Sequence, residues 1–302
     1  MSDAEKGRAG MSDARKGRVG MSDARKATQR IEGKTAQGIE RGTEQTYPAF
    51  VCSDGTELAV TARCSQKARS RRLVFHHQGV IELVIPARAP DAKREMKPER
   101  VKVFLEQKRL WIERTARKLA PQIEAYRQSL AAGLPEFLDF PPLAETWTVS
   151  YHATAAARIT LKLGSGTTIH LHGPVDDTEL CFYALRHFVT AYAKEKLPLF
   201  AWRIVGELEA AGQLPHRPAH ITVNNRKSAW GVCTRDGRIR LDRRVIFLPY
   251  ALARQVVSHE LAHLVHLSHQ QAFYEELYSY DDSTREAERA VKRASCYVPA
   301  WL

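Results

Sequence analysis

The chain has 302 residues, a formal net charge of +12 and 44% apolar residues. That length and apolar content describe a globular chain with a sizeable core, either one large domain or a domain with an appendage. No run approaches the roughly 18 consecutive apolar residues of a membrane helix, and the N-terminus is charged from its first residues. A membrane span and a secretory signal are therefore not expected, and the chain reads as cytoplasmic.

In chain order, Met1-Ser2-Asp3-Ala4, Met11-Ser12-Asp13-Ala14 and Met21-Ser22-Asp23-Ala24 open three copies of a ten-residue unit. That period is too short for a solenoid, and the stretch has few aromatic or branched residues to bury, so residues 1–44 are expected to be a disordered leader. Thr46 to Pro86 is β-rich and punctuated by Asp54-Gly55 and Gly79, which predicts antiparallel strands. Val101, Leu105, Ile112, Leu119 and Ile123 recur at helical intervals and predict one helix from Val101 to Tyr126, with Trp111 in the core. Together these form an N-terminal segment over residues 45–135. Further strands are expected at Trp147 to Tyr151, Arg158 to Leu163 and Thr167 to His172, the last two joined at Gly164-Ser165-Gly166. His170 and His172 share one strand face and could be metal ligands, but exposed strand histidines are the expected reading. Asp176 with Glu179 forms a capping box for a helix that Pro198 is expected to divide. Ile221-Thr222-Val223 and a hairpin turned at Asp236-Gly237 complete the strands. The five cysteines, Cys52, Cys64, Cys181, Cys233 and Cys296, contain no C-x-x-C pair and are expected to be reduced thiols.

The most informative segment is His259-Glu260-Leu261-Ala262-His263, followed by His269. Pro249 suits a first helical turn, and Tyr250 to Val265 has no internal Gly or Pro, which predicts a helix. On a helix, positions i and i+4 share a face, so the imidazoles of His259 and His263 can converge on one Zn²⁺. Glu260 is offset by about 100°, beside the metal, where it can take a proton from a metal-activated water. A chance H-E-x-x-H in a chain of this composition is expected roughly 0.03 times. His266 lies about 10 Å along the axis from His259 and cannot share the site. A capping box at Ser268 and Gln271 is expected to start a second helix at His269 and return that histidine toward the metal. The other residues considered for the third ligand are Glu275, Glu276 and Glu286.

The surrounding runs, Ser228-Ala229-Trp230-Gly231-Val232-Cys233-Thr234, Gly237-Arg238-Ile239-Arg240-Leu241-Asp242, Leu248-Pro249 and Val256 to His263, resemble the YgjP-like metallopeptidase family, itself similar to SprT-like zincins. Arg69-Ser70-Arg71-Arg72, Ile85-Pro86 and Trp111-Ile112 are similar to the family's opening segment, so the resemblance covers roughly residues 45 to 285. It implies that His259, His263 and His269 are zinc ligands, that Glu260 is the catalytic carboxylate and that a protein or peptide is the substrate. It also implies that the strand around Trp230 to Thr234 borders the cleft and can receive an extended peptide.

The expected architecture is α+β: a zincin-like core over residues 136–302 with an active-site helix and a small antiparallel sheet, preceded by the β-rich segment, with 45–302 as one family domain. Residues 220–245 hold seven basic against two acidic side chains, and the motif-bearing residues 246–302 hold five against seven. A basic wall beside a metal cleft leaves nucleic acid or nucleotide as a possible partner. Two alternatives stand beside the peptidase reading: a metal-dependent nucleoside triphosphate pyrophosphatase, and a DNA-associated SprT-like protease. The absence of a glycine-rich phosphate loop weighs against the first.

Overall fold

In the computed structural model, which describes residues 45–76, 78–89, 91–225, 229–281 and 284–302, period-2 burial builds the first sheet. Leu58, Val60 and Ala62 of β2 (Glu57–Ser65) and Ile81, Leu83 and Ile85 of β4 (Val80–Pro86) are buried on one face. With β1 (Gln45–Val51) and β3 (Arg72–Phe75) they form a sheet of order β1-β2-β4-β3. The outer pairs are antiparallel but β2 and β4 run parallel, which corrects the all-antiparallel expectation. The chain crosses the sheet before forming the β3–β4 hairpin, turned at Gly79 (φ 80°), so β4 inserts beside β2 in the same direction. The leader expected over 1–44 lies outside the described residues.

The single helix predicted from Val101 to Tyr126 is two helices, α1 (Pro98–Gln107) and α2 (Arg109–Ala132), interrupted at Lys108. The buried stripe of α2 runs through Ile112, Ala116, Ile123 and Tyr126. Trp111 is about 100° off that stripe, and at 44% exposure it is a surface residue, contrary to expectation. α1 and the first half of α2 cover the apolar face of the first sheet, and from Tyr126 onward the side chains join a second, larger core.

The second sheet repeats the topology of the first. Its strands β5 (Phe137–Phe140), β6 (Glu145–Ala153), β7 (Thr160–Leu163) and β8 (Thr168–Gly173) have the order β5-β6-β8-β7, with antiparallel outer pairs and a parallel central pair. A long helix follows, α3 (Thr178–Ala210), as α1 and α2 follow the first sheet. Its N-cap is Asp177, whose carboxylate accepts the Leu180 N–H at 2.9 Å, and not Asp176 as predicted. Pro198 does not divide it. The carbonyl deprived of its donor belongs to Lys194, which is exposed, so water can satisfy it, while Leu197, Phe200 and Ala201 hold the helix in the core.

The third sheet has the order β10-β11-β9, from β9 (His220–Asn224), β10 (Gly231–Cys233) and β11 (Arg238–Asp242). β10 and β11 are the expected hairpin, turned at Gly237 (φ 73°), but β11 runs parallel to β9, which corrects the small antiparallel sheet expected of this core to a mixed one. This leaves β10 as an edge strand, packed against α4 (Tyr250–Ala262). The helices α5 (Gln271–Ser279) and α6 (Thr284–Val291) complete the fold against α4. Among the described residues no helix is long and apolar enough to cross a membrane. All five cysteines are free thiols.

Candidate metal centre

Helix α4 buries Leu252, Val256, Val257 and Leu261, which turns His259 and His263 to the opposite, partly open side. Their rings lie 4.9 Å apart, as i,i+4 spacing dictates. The helix ends at Ala262, three residues earlier than predicted. Tighter bonds from Leu264 and Val265 to the Leu261 and Ala262 carbonyls, and one from His266 N–H to Ala262 O, close its last turn. The chain then reverses without glycine, and no non-glycine residue in the reversal takes a positive φ.

That reversal returns His269. Its Nε2 lies 3.0 Å from His259 Nε2. One ligand atom from each of His259, His263 and His269 lies within 4.8 Å of the others, and among the described residues this is the one group of three or more metal-ligating side chains so gathered. The edge of a tetrahedron around zinc is about 3.3 Å, so three nitrogens at this spacing fit one ion after small side-chain adjustments. Glu275, Glu276 and Glu286 are not in the group. Ser268 does not cap the next helix: α5 begins at Gln271 with extended Gln270 before it, and its N-cap makes no side-chain hydrogen bond. His269 therefore sits on the extended approach to α5 rather than on its first turn, which leaves its ring free of helical direction.

His266 stays outside the cluster but contributes its backbone. Its carbonyl accepts a hydrogen bond from His263 Nδ1 at 2.9 Å. A carbonyl only accepts, so Nδ1 carries the proton and the Nε2 lone pair of His263 is left for a metal.

Beneath the three rings lies Phe273, fully buried, with centroids 4.9, 4.6 and 4.8 Å from those of His259, His263 and His269. Sequence reasoning missed this residue. Its signal was its place as the first aromatic residue of the helix that follows His269. Burial of this kind disfavours an imidazolium: the pKa of His259 falls to about 4, chiefly by desolvation and then by the neighbouring histidines, and that of His263 is also lowered by burial. Both rings are thus held in the neutral form that can ligate.

Glu260 points between α4 and the edge strand. It is 5% exposed, and desolvation raises its pKa to about 8, against a backbone hydrogen bond from Cys233 that lowers it. Its Oε2 is buried and has no hydrogen-bond partner. The approach to β10 is so close that a Cβ at Gly231 would stand 2.6 Å from Glu260 Oε1 and 2.7 Å from its Cγ. Asp242 N–H bonds Trp230 O and Thr234 N–H bonds Arg238 O. The even-numbered residues of this strand therefore face β11, and Gly231 and Cys233 turn their amides toward the open edge. The next layer fixes that strand: the Arg244 guanidinium lies over the Trp230 ring at 4.8 Å and its Nε donates to buried Asp242 at 2.6 Å. Arg243 is buried and bonds backbone carbonyls and Thr190, so among the described basic residues of this stretch the exposed ones are Arg235, Arg238 and Arg240, with Arg238 paired to Asp236.

The arrangement is a group of three histidines that could hold a metal ion beside a buried carboxylate. The YgjP-like, metallopeptidase domain family matches residues 69–294, and the chain belongs to that family. No curated protein and no solved structure gives a significant match.

Proposed function

We propose that the chain is a zinc-dependent metallopeptidase in which His259, His263 and His269 hold the metal and Glu260 is the general base. We read residues 136–302 as its zincin-like core and 45–302 as one family domain. The observation that carries this reading is the convergence of three imidazoles beside a buried carboxylate with one unpartnered oxygen. Such a donor set suits a borderline ion such as zinc, and three protein ligands leave a position open for water or substrate.

When bound, zinc would polarise the scissile carbonyl and acidify water, and its charge would pull the Glu260 pKa down from its metal-free position. Glu260 then accepts the water's proton and returns it to the leaving amine. Its hydrogen bond from Cys233 N–H fixes one oxygen, leaving Oε2 for this transfer. The Gly231 amide and the Gly231 and Cys233 carbonyls on the open edge of β10 pair with an extended peptide and carry its bond past Glu260.

Metal analysis of the purified full chain, with parallel assays on an unfolded protein and on nucleoside triphosphates, tests the proposal. Stoichiometric zinc with chelator-sensitive proteolysis is expected. Hydrolysis of triphosphates without proteolysis, or a protein that binds no zinc, overturns it.

A further inference from the structure

We propose a second, solvent-facing metal site on the outer face of the second sheet, formed by His152, His170 and His172, for a borderline divalent ion of the zinc, copper and nickel kind. Three of the chain's 12 histidines stand together here, apart from the three of the catalytic cluster. β6 and β8 run parallel with Ser150 opposite His170 and His152 opposite His172. Trp147, Val149, Ile169 and Leu171 point into the core, so the period of two sends all three imidazoles to the other face.

His152 Nε2 lies 3.2 Å from His170 Nδ1, close to the edge of about 3.3 Å between two nitrogens on one zinc ion. The Ser150 hydroxyl stands 3.1 Å from the first nitrogen and 2.6 Å from the second, closing a triangle of ligand-type atoms. The His172 ring stacks on His152, with centroids 4.6 Å apart and planes within 16°, and its centroid is 6.3 Å from that of His170. As they stand, the three rings do not bring one nitrogen each within 4.8 Å of one another, so the site requires the partly exposed His172 ring to turn about its side-chain bonds toward the His152–His170 pair.

Position in the fold supports the assignment. The central parallel pair of the first sheet also carries polar residues on its outer face, but there buried Glu82 bonds both Arg63 and His76, an arrangement that neutralises itself. In the second sheet no carboxylate bonds any of the three rings among the described residues. The facing position on β7, opposite His170, is Lys162. A cluster of imidazole nitrogens without a carboxylate selects borderline ions and rejects magnesium and calcium, which require oxygen ligands. Packing also holds His170 over Gly164, where a Cβ would stand 2.6 Å from its Nε2.

The test is calorimetric titration of the metal-stripped full chain with Zn²⁺, alongside Cu²⁺ titration read by electron paramagnetic resonance. Two classes of zinc site are expected in the unaltered chain, and His152→Gln/His170→Gln should lose the weaker class together with the nitrogen-ligated copper signal assigned to it. The tight class and proteolytic activity should persist in that variant, which also shows that it has folded. Mg²⁺ should give no binding heat. A single class in the unaltered chain, or a weaker class that survives the double substitution, overturns the site.

Discussion

The contact between Gly231 and Glu260 makes Gly231→Ala a demanding test of the proposed base. Gly231 does not use a left-handed φ, so alanine is acceptable to the strand backbone and its effect must come through what the new methyl meets. It would stand 2.6, 2.7 and 2.8 Å from Oε1, Cγ and Cδ of Glu260. Carbon contacts settle at about 3.5–4.0 Å, so the carboxylate must retreat by about 1 Å. Because Cγ is involved as well as the carboxylate, a simple rotation of the terminal group does not relieve the clash. Misplacing a catalytic group by about 1 Å costs about 100-fold in rate, or about 2.7 kcal/mol of transition-state stabilisation. Overpacking a filled site adds about 1–3 kcal/mol of destabilisation. The assay is steady-state proteolysis of an unfolded protein, with zinc content and thermal unfolding measured on the same sample. The expected result is kcat down about 100-fold with the zinc retained and KM little changed. Full activity in a folded, zinc-loaded Gly231→Ala variant would refute the placement of Glu260 as the base.

Glu260→Gln should retain zinc and abolish proteolysis, since the amide keeps the shape but cannot accept the proton. In metal-free protein a carboxyl whose pKa rises from 4.5 to about 8 on folding destabilises the folded state increasingly as pH climbs through that interval. Stripped Glu260→Gln should therefore gain stability over the unaltered chain between pH 5 and 8, and parallel unfolding curves at both pH values would show the sign to be wrong. His269→Ala should lose most zinc affinity and His266→Ala should keep it, because His266 lends the cluster only its carbonyl; equal zinc loss in a competitive chelator titration would overturn the assignment. Deleting residues 1–44, a polar repeat with little to bury, should leave melting temperature and zinc content unchanged; a fall of many degrees would show that the leader docks.

The sequence by itself determined whatever depends on neighbours along the chain. The i,i+4 spacing of His259 and His263 places two imidazoles on one face of any helix that contains them, and alternation in β2, β6 and β8 assigns each strand a buried side, whereas β4 is buried on both faces from Ile81 to Ile85. His269 was also legible, as the histidine that follows once a helix can no longer continue in line. The details of the turn were not. Ser268 and Gln271 have the spacing of a capping box, yet α5 begins two residues later, because helix starts are adjusted by packing as well as by caps. The parallel central strands of both sheets, the continuity of α3 through Pro198 and the exposure of Trp111 were decided by pairing and burial between distant segments. So was the chemistry of Glu260. Nothing beside it in sequence raises its pKa. Enclosure between α4 and β10 does so, with Gly231 permitting the approach and Phe273 drying the floor beneath the histidines. Desolvation is set by what covers a group, and for this site the covering comes from residues that only the tertiary fold brings together.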